Sequence, residues 1–127
     1  MLMEKITIEE LYELLCNKLD SMSGLTELYV GITDDIVRRS EEHKKEYMYT
    51  KEIAFGTPNI ISKAEKYLIN KFKTAKTNWI LKNEGEGGEG TSTANKLYIS
   101  YNYDTSKMKD INELDDDDLE LSNYKLI

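Results

Sequence analysis

The chain has 127 residues, 39% of them hydrophobic and 32% charged, enough for one compact domain with a modest core and a well-solvated surface. No run of 18 apolar residues occurs, which excludes a membrane-spanning helix, and the acidic start MLMEKITIEE lacks the basic patch and apolar run of a secretory leader. Cys16 is the sole cysteine, so no internal disulfide or cysteine cage for metal can form, and a reducing, cytoplasmic setting is expected. The net charge of −7 argues at first against a phosphate-bearing partner. Its distribution changes that: residues 1–83 hold 13 basic and 13 acidic residues, residues 84–127 hold 4 and 11. All the excess negative charge lies in the last third.

Thr7-Ile8-Glu9-Glu10 has the form of a capping box, and Ile8, Leu11, Tyr12, Leu15 and Leu19 follow at helical spacing, which predicts an amphipathic helix over 7–22 ended by Ser23-Gly24. Leu25 to Thr33 is rich in β-branched and aromatic residues and reads as a strand, with Gly31 marking a bulge or a close backbone approach. Asp34 or Asp35 suits the N-cap of a second helix reaching Tyr47. Its inward stripe would be Ile36, Arg39, Ser40, His43 and Tyr47. A packing helix would carry Leu or Val at 39 and 43, so Arg and His there imply a polar cleft. Glu52 to Phe55 reads as a short strand closed by the Gly56–Asn59 turn, and Ser62 as the cap of a third helix to about Thr74. Glu65 lies on that helix's Ile61–Leu68–Phe72 side. Residues 84–95 form a Gly/Glu-rich connector whose glutamates would repel phosphate, and Lys96 to Tyr103 is a second clear strand. Domain organisation is therefore one unit over 1–103 and an acidic tail over 104–127, including the Asp115–Asp118 run.

Tyr29-Val30-Gly31, a short loop, then a helix with Arg39 ten residues and His43 fourteen residues after the tyrosine, resembles the second signature of GIY-YIG endonucleases. Glu65 falls where that family carries a single metal-binding Glu, and Asn78, ahead of Asn83, where a late Asn closes the set. The resemblance spans residues 25–80. It implies an α/β (α+β) fold with a small antiparallel sheet flanked by helices, and one-metal hydrolysis of nucleic-acid phosphodiesters, DNA ahead of RNA. Tyr29, Arg39, His43 and Glu65 would be catalytic, with Glu65 also holding Mg²⁺ or Mn²⁺, and Gly31, Arg38 and Asn78 would contact substrate. The family's first signature tyrosine is missing: Lys18 and Leu19 stand ten or eleven residues before Tyr29. If the late strand pairs beside that of Tyr29, Tyr98 or Tyr101 could take its place.

Plainer readings compete. Arg39 and His43 could pair with Glu42 or Glu46 on a solvated helix, Tyr29 could be a core aromatic, and Cys16 a small buried hydrophobe. Ser62-Lys63-Ala64-Glu65 is itself a capping box, which would give Glu65 only a structural task. The competing function is a non-catalytic binding or inhibitor protein of phage or mobile-element anti-defence type, its acidic tail mimicking nucleic acid or engaging a basic protein partner.

Overall fold

A computed structural model describes residues 4–22, 24–83, 93–104 and 123–127. The glycine-rich run 84–92 and the Asp115–Asp118 run lie outside them. In chain order the elements are β1 (Lys5–Ile6), α1 (Ile8–Asp20), β2 (Leu25–Thr33), α2 (Ile36–His43), β3 (Tyr49–Phe55), α3 (Pro58–Thr74), β4 (Ile80–Leu81), β5 (Lys96–Tyr103) and β6 (Tyr124–Leu126). Three helices and a six-stranded sheet make a mixed α/β fold, with strand order β1-β6-β3-β5-β2-β4. The three long strands, β3-β5-β2, are antiparallel, and the short strands extend them in parallel at both edges.

The helix starts follow local chemistry. Thr7 caps α1 with a reciprocal capping box to Glu10, as its sequence predicts, and Leu11, Leu15 and Leu19 are buried against the sheet and α3. Asp35 caps α2 by accepting from the Arg38 amide. The expected extension of α2 to Tyr47 is shortened. The helix ends at His43, and a tight turn, with the Tyr47 amide on the His43 carbonyl at 2.9 Å, swings the chain into β3. That strand begins at Tyr49 rather than Glu52, because β5 offers a pairing partner along its whole length.

The third helix requires a larger correction. Its N-cap is Thr57, followed by Pro58 at the first helical position, so Ser62 lies inside the helix rather than at its start. Glu65 therefore sits in the second turn, away from the exposed amides a capping box would serve. It is buried to 7% exposure on the same face as Ile61, Leu68 and Phe72.

The acidic tail also needs correcting at its end. Tyr124–Leu126 run between β1 and β3, with Leu126 buried, so the last residues belong to the sheet. A three-residue strand has no detectable periodicity of its own, and its pairing with β1 and β3 exists only in the folded chain. No helix among the described residues is long and apolar enough to cross a membrane. Cys16 is half-buried at the rim of the core, and burial pushes its thiol up.

Candidate functional site

The site begins with the pairing of β2 and β5, where Gly31 stands directly opposite Tyr98. Side chains alternate across a strand, so Gly31 leaves an open lane on the sheet face that also carries Tyr29 and Tyr98. The Tyr98 ring fills that lane. A Cβ on Gly31 would lie 2.8 Å from Tyr98 Cε1 and closer still to the phenol carbon and oxygen. This is the close approach that a glycine inside a strand signals.

From β5 the Tyr98 hydroxyl meets two side chains of α2. Arg39 Nε donates to it at 3.1 Å, and His43 Nε2 lies 3.1 Å away. Ile36, Arg39, Ser40 and His43 are all half-buried and Tyr47 is buried, whereas Val37, Arg38, Glu41 and Glu42 are exposed, so the inward stripe of α2 is the one the sequence predicts. Tyr29 completes the cluster: its ring centroid is 5.2 Å from that of His43, 6.0 Å from Tyr47 and 6.2 Å from Tyr98.

Burial is the main cause of the shifted acidities here. It raises the Tyr98 phenol well above its ordinary range, with Tyr29 adding to the rise; the Arg39 bond and charge oppose it, and the Glu65 charge raises it further. Glu65, from α3, therefore reaches the same site electrostatically. Tyr47 is pushed up to about 12, mainly by burial. For His43, burial and then the Arg39 charge lower the pKa against the opposing pull of Glu46 and Glu42. Burial also works against the Arg39 charge, but its contacts with Tyr98 and Glu42 outweigh this and hold the guanidinium above its usual value.

A protonated Tyr98 that accepts from Arg39 has one hydrogen to donate, and a neutral His43 with its proton on Nδ1 offers Nε2 as the acceptor for it. Tyr98 is 0% exposed, so its hydroxyl is turned to Arg39 and His43 and not to solvent. Arg39 also binds Glu42 at 2.9 Å while keeping its side chain 36% exposed. Both expected pairings of this arginine thus coexist, one inward and one to its helix neighbour.

The remaining predicted residues divide. Arg38 is exposed and engaged with Asp34 and Glu42 at 3.3 and 3.5 Å, a surface arrangement worth about 0–1 kcal/mol, outside the ring cluster. Asn78 is exposed, and Asn83 does what a late Asn could do for the backbone. Its side chain accepts from the Val30 amide at 2.9 Å and donates to the Val30 carbonyl at 2.8 Å, extending the ladder that β4 begins. Asn83→Ala would leave both Val30 groups unpaired at the strand carrying Tyr29, and a loss of about 1–3 kcal/mol is expected from chemical denaturation. Of the two alternative tyrosines, Tyr98 enters the site. Tyr101 points to the other face and packs on Tyr49 and Tyr103. The signal for Tyr98 was an aromatic of one strand facing a glycine of another, legible only once the register is known.

As for metal, Glu65 carries one hard carboxylate, buried on α3 and acting electrostatically on the Tyr98 phenol, and a single carboxylate fits a divalent ion that completes its shell with water and phosphate. Among the described residues no group of three His, Cys, Asp or Glu side chains that could hold a metal lies together. No family model, curated protein or solved structure matches the chain.

Proposed function

We propose that this protein is a GIY-YIG-like nuclease whose first signature tyrosine is replaced by Tyr98, supplied from β5 at the other end of the domain. The observation that carries the reading is the Tyr98 hydroxyl held between Arg39 and His43, with Tyr29 against His43 and the Glu65 charge acting on the same phenol. Arg39 and His43 are four residues apart on α2, Tyr29 is on β2 and Glu65 on α3. Four elements thus converge on one polar cluster in a chain whose core elsewhere is almost wholly apolar.

In this reading the exposed part of Arg39 binds a non-bridging phosphate oxygen, where charge grows as water attacks, a contribution of about 3–4 kcal/mol. Tyr29 accepts a hydrogen bond from the attacking water and aligns it. The His43 Nδ1 hydrogen is a second donor to the phosphate. Glu65 would hold a divalent ion, which when bound would supply Lewis-acid polarisation of the phosphoryl group. The new bond joins the water oxygen to phosphorus as the ester P–O bond breaks; the attacking water releases one proton to solvent and the departing oxygen takes one up from solvent, so the step balances.

The deciding experiment incubates single- and double-stranded DNA and RNA with the protein and with Glu65→Gln, in Mg²⁺, in Mn²⁺ and in chelator. Metal-dependent cleavage that the variant loses by at least about 100-fold supports the reading. Cleavage equal in both proteins, or none from a folded sample, sinks it. The complete burial of Tyr98 favours one competing reading, a non-catalytic nucleic-acid-binding protein, for which binding persists without any cutting.

A pH dependence follows. The folded pKa of His43 lies below its unfolded value of about 6.5, so protons bind preferentially to the unfolded chain as pH falls through that window. The stabilisation from neutral His43 is full above about pH 6.5 and lost below it. Protonation also removes the acceptor for the Tyr98 hydroxyl, so cleavage should fall on the acid side. His43→Gln should flatten that limb, and an unchanged limb would remove His43 from the mechanism.

A further inference from the structure

The protein's negative charge conceals a local reversal on α3. Residues 58–74 contain four lysines and one acid, Glu65, a balance of +3 in a chain of net charge −7. Lys63, Lys66 and Lys73 are all exposed, and Asn70 is exposed among them. At about 100° per residue these four fall between about 80° and 160° from Glu65, on one side of the helix. Lys71 falls on the other side, about 120° away, where its ammonium sits 5.5 Å from the Tyr67 ring beside α1. The stripe therefore lies on the solvent side of the helix, away from the buried face that carries Glu65, rather than as a ring of charge around it.

We infer that the exposed Lys63–Lys66–Lys73 stripe of α3 is a track along which the phosphate backbone of a nucleic-acid strand lies. From Lys63 to Lys73 the helix rises about 15 Å, close to the axial rise of four nucleotides of one strand at about 3.4 Å each. The three lysines, one and then two turns apart, meet phosphates as point charges, and the Asn70 amide adds a neutral donor between Lys66 and Lys73. The chemistry recognised is the backbone polyanion, so the surface selects for phosphate spacing and not for base sequence. The inference rests on the nucleic-acid part of the reading above but not on cleavage.

The experiment measures fluorescence anisotropy of a fluorescein-labelled DNA duplex in chelator from 50 to 300 mM salt, using the full chain. Lys63→Gln/Lys66→Gln/Lys73→Gln is compared with Lys5→Gln/Lys18→Gln/Lys125→Gln, which removes the same charge from β1, α1 and β6. Circular dichroism and melting confirm that both are folded. Loss of three phosphate contacts should reduce the log–log salt slope by about 3 and the affinity at 0.1 M salt on the order of 100-fold, while the control stays near wild type. Equal losses in both triple variants would mean that net charge alone governs binding, and would overturn the track. Undiminished binding by the α3 variant overturns it too, while the Glu65 cleavage assay still judges the nuclease independently. A wild-type protein that binds no duplex overturns the track outright.

Discussion

Tyr98→Phe is expected to leave the fold intact and lower metal-dependent cleavage on the order of 100-fold, the cost of a displacement of about 1 Å in groups that must meet a reacting phosphate. The phenyl ring still fills the lane opposite Gly31, so packing is retained and stability falls by about 1 kcal/mol, the net worth of the lost hydrogen bonds. What disappears is the oxygen that fixes Arg39 and His43 together. Arg39 retains Glu42 and His43 retains its contacts with Tyr29 and Tyr47, so both side chains stay near the site but lose their shared anchor. A role confined to stability would leave the pH profile in place. The positioning role requires the acid limb to move upward, because His43 loses the hydroxyl that donates to its neutral form. Single-turnover cleavage across pH 5–8, beside thermal melts, reads both quantities. A variant that cuts at the wild-type rate with an unmoved limb would return the site to Tyr29, Arg39 and Glu65 alone.

Gly31→Ala should be the more damaging change to the fold, although it adds a single methyl group. That methyl would overlap the Tyr98 ring, which is wholly buried between β2 and α2 and cannot move aside without breaking its bonds to Arg39 and His43. Overpacking of this kind costs about 1–3 kcal/mol, and here the displaced group also organises the site. Stability and cleavage should therefore fall together. A double-mutant cycle identifies the cause: in a Tyr98→Ala background the same methyl has room, and its cost should drop to a small fraction. Equal costs in the two backgrounds would mean that Gly31 is needed for some other reason. The stability half of this prediction holds whether or not the protein cuts nucleic acid.

Much of the frame was legible in local chemistry. Helix α1 announces itself through the Thr7–Glu10 capping box and a leucine stripe, and β2 and β5 through segments rich in β-branched and aromatic residues, because each signal arises within one element. The inward stripe of α2 was legible for the same reason: 3.6-residue periodicity places Arg39 and His43 on one face whatever surrounds them. Capping was ambiguous on α3, where two threonine- or serine-led starts five residues apart both satisfy the local rules. Pro58 at the first helical position favours the earlier start, and only packing decides between them by burying Ile61 and Glu65 in the same helix face.

The sequence by itself thus determined the helix face on which Arg39, His43 and Glu65 each lie, since periodicity is a property of a few neighbouring residues. The tertiary structure alone decided that β5 lies beside β2 in the register placing Tyr98 opposite Gly31, that Asn83 rather than Asn78 holds the Val30 backbone, and that the chain's last residues close the sheet between β1 and β3. The reason is physical. Strand pairing joins segments tens of residues apart, its energy depends on which faces are already buried, and a slip of one residue would turn Tyr98 to the opposite face of the sheet.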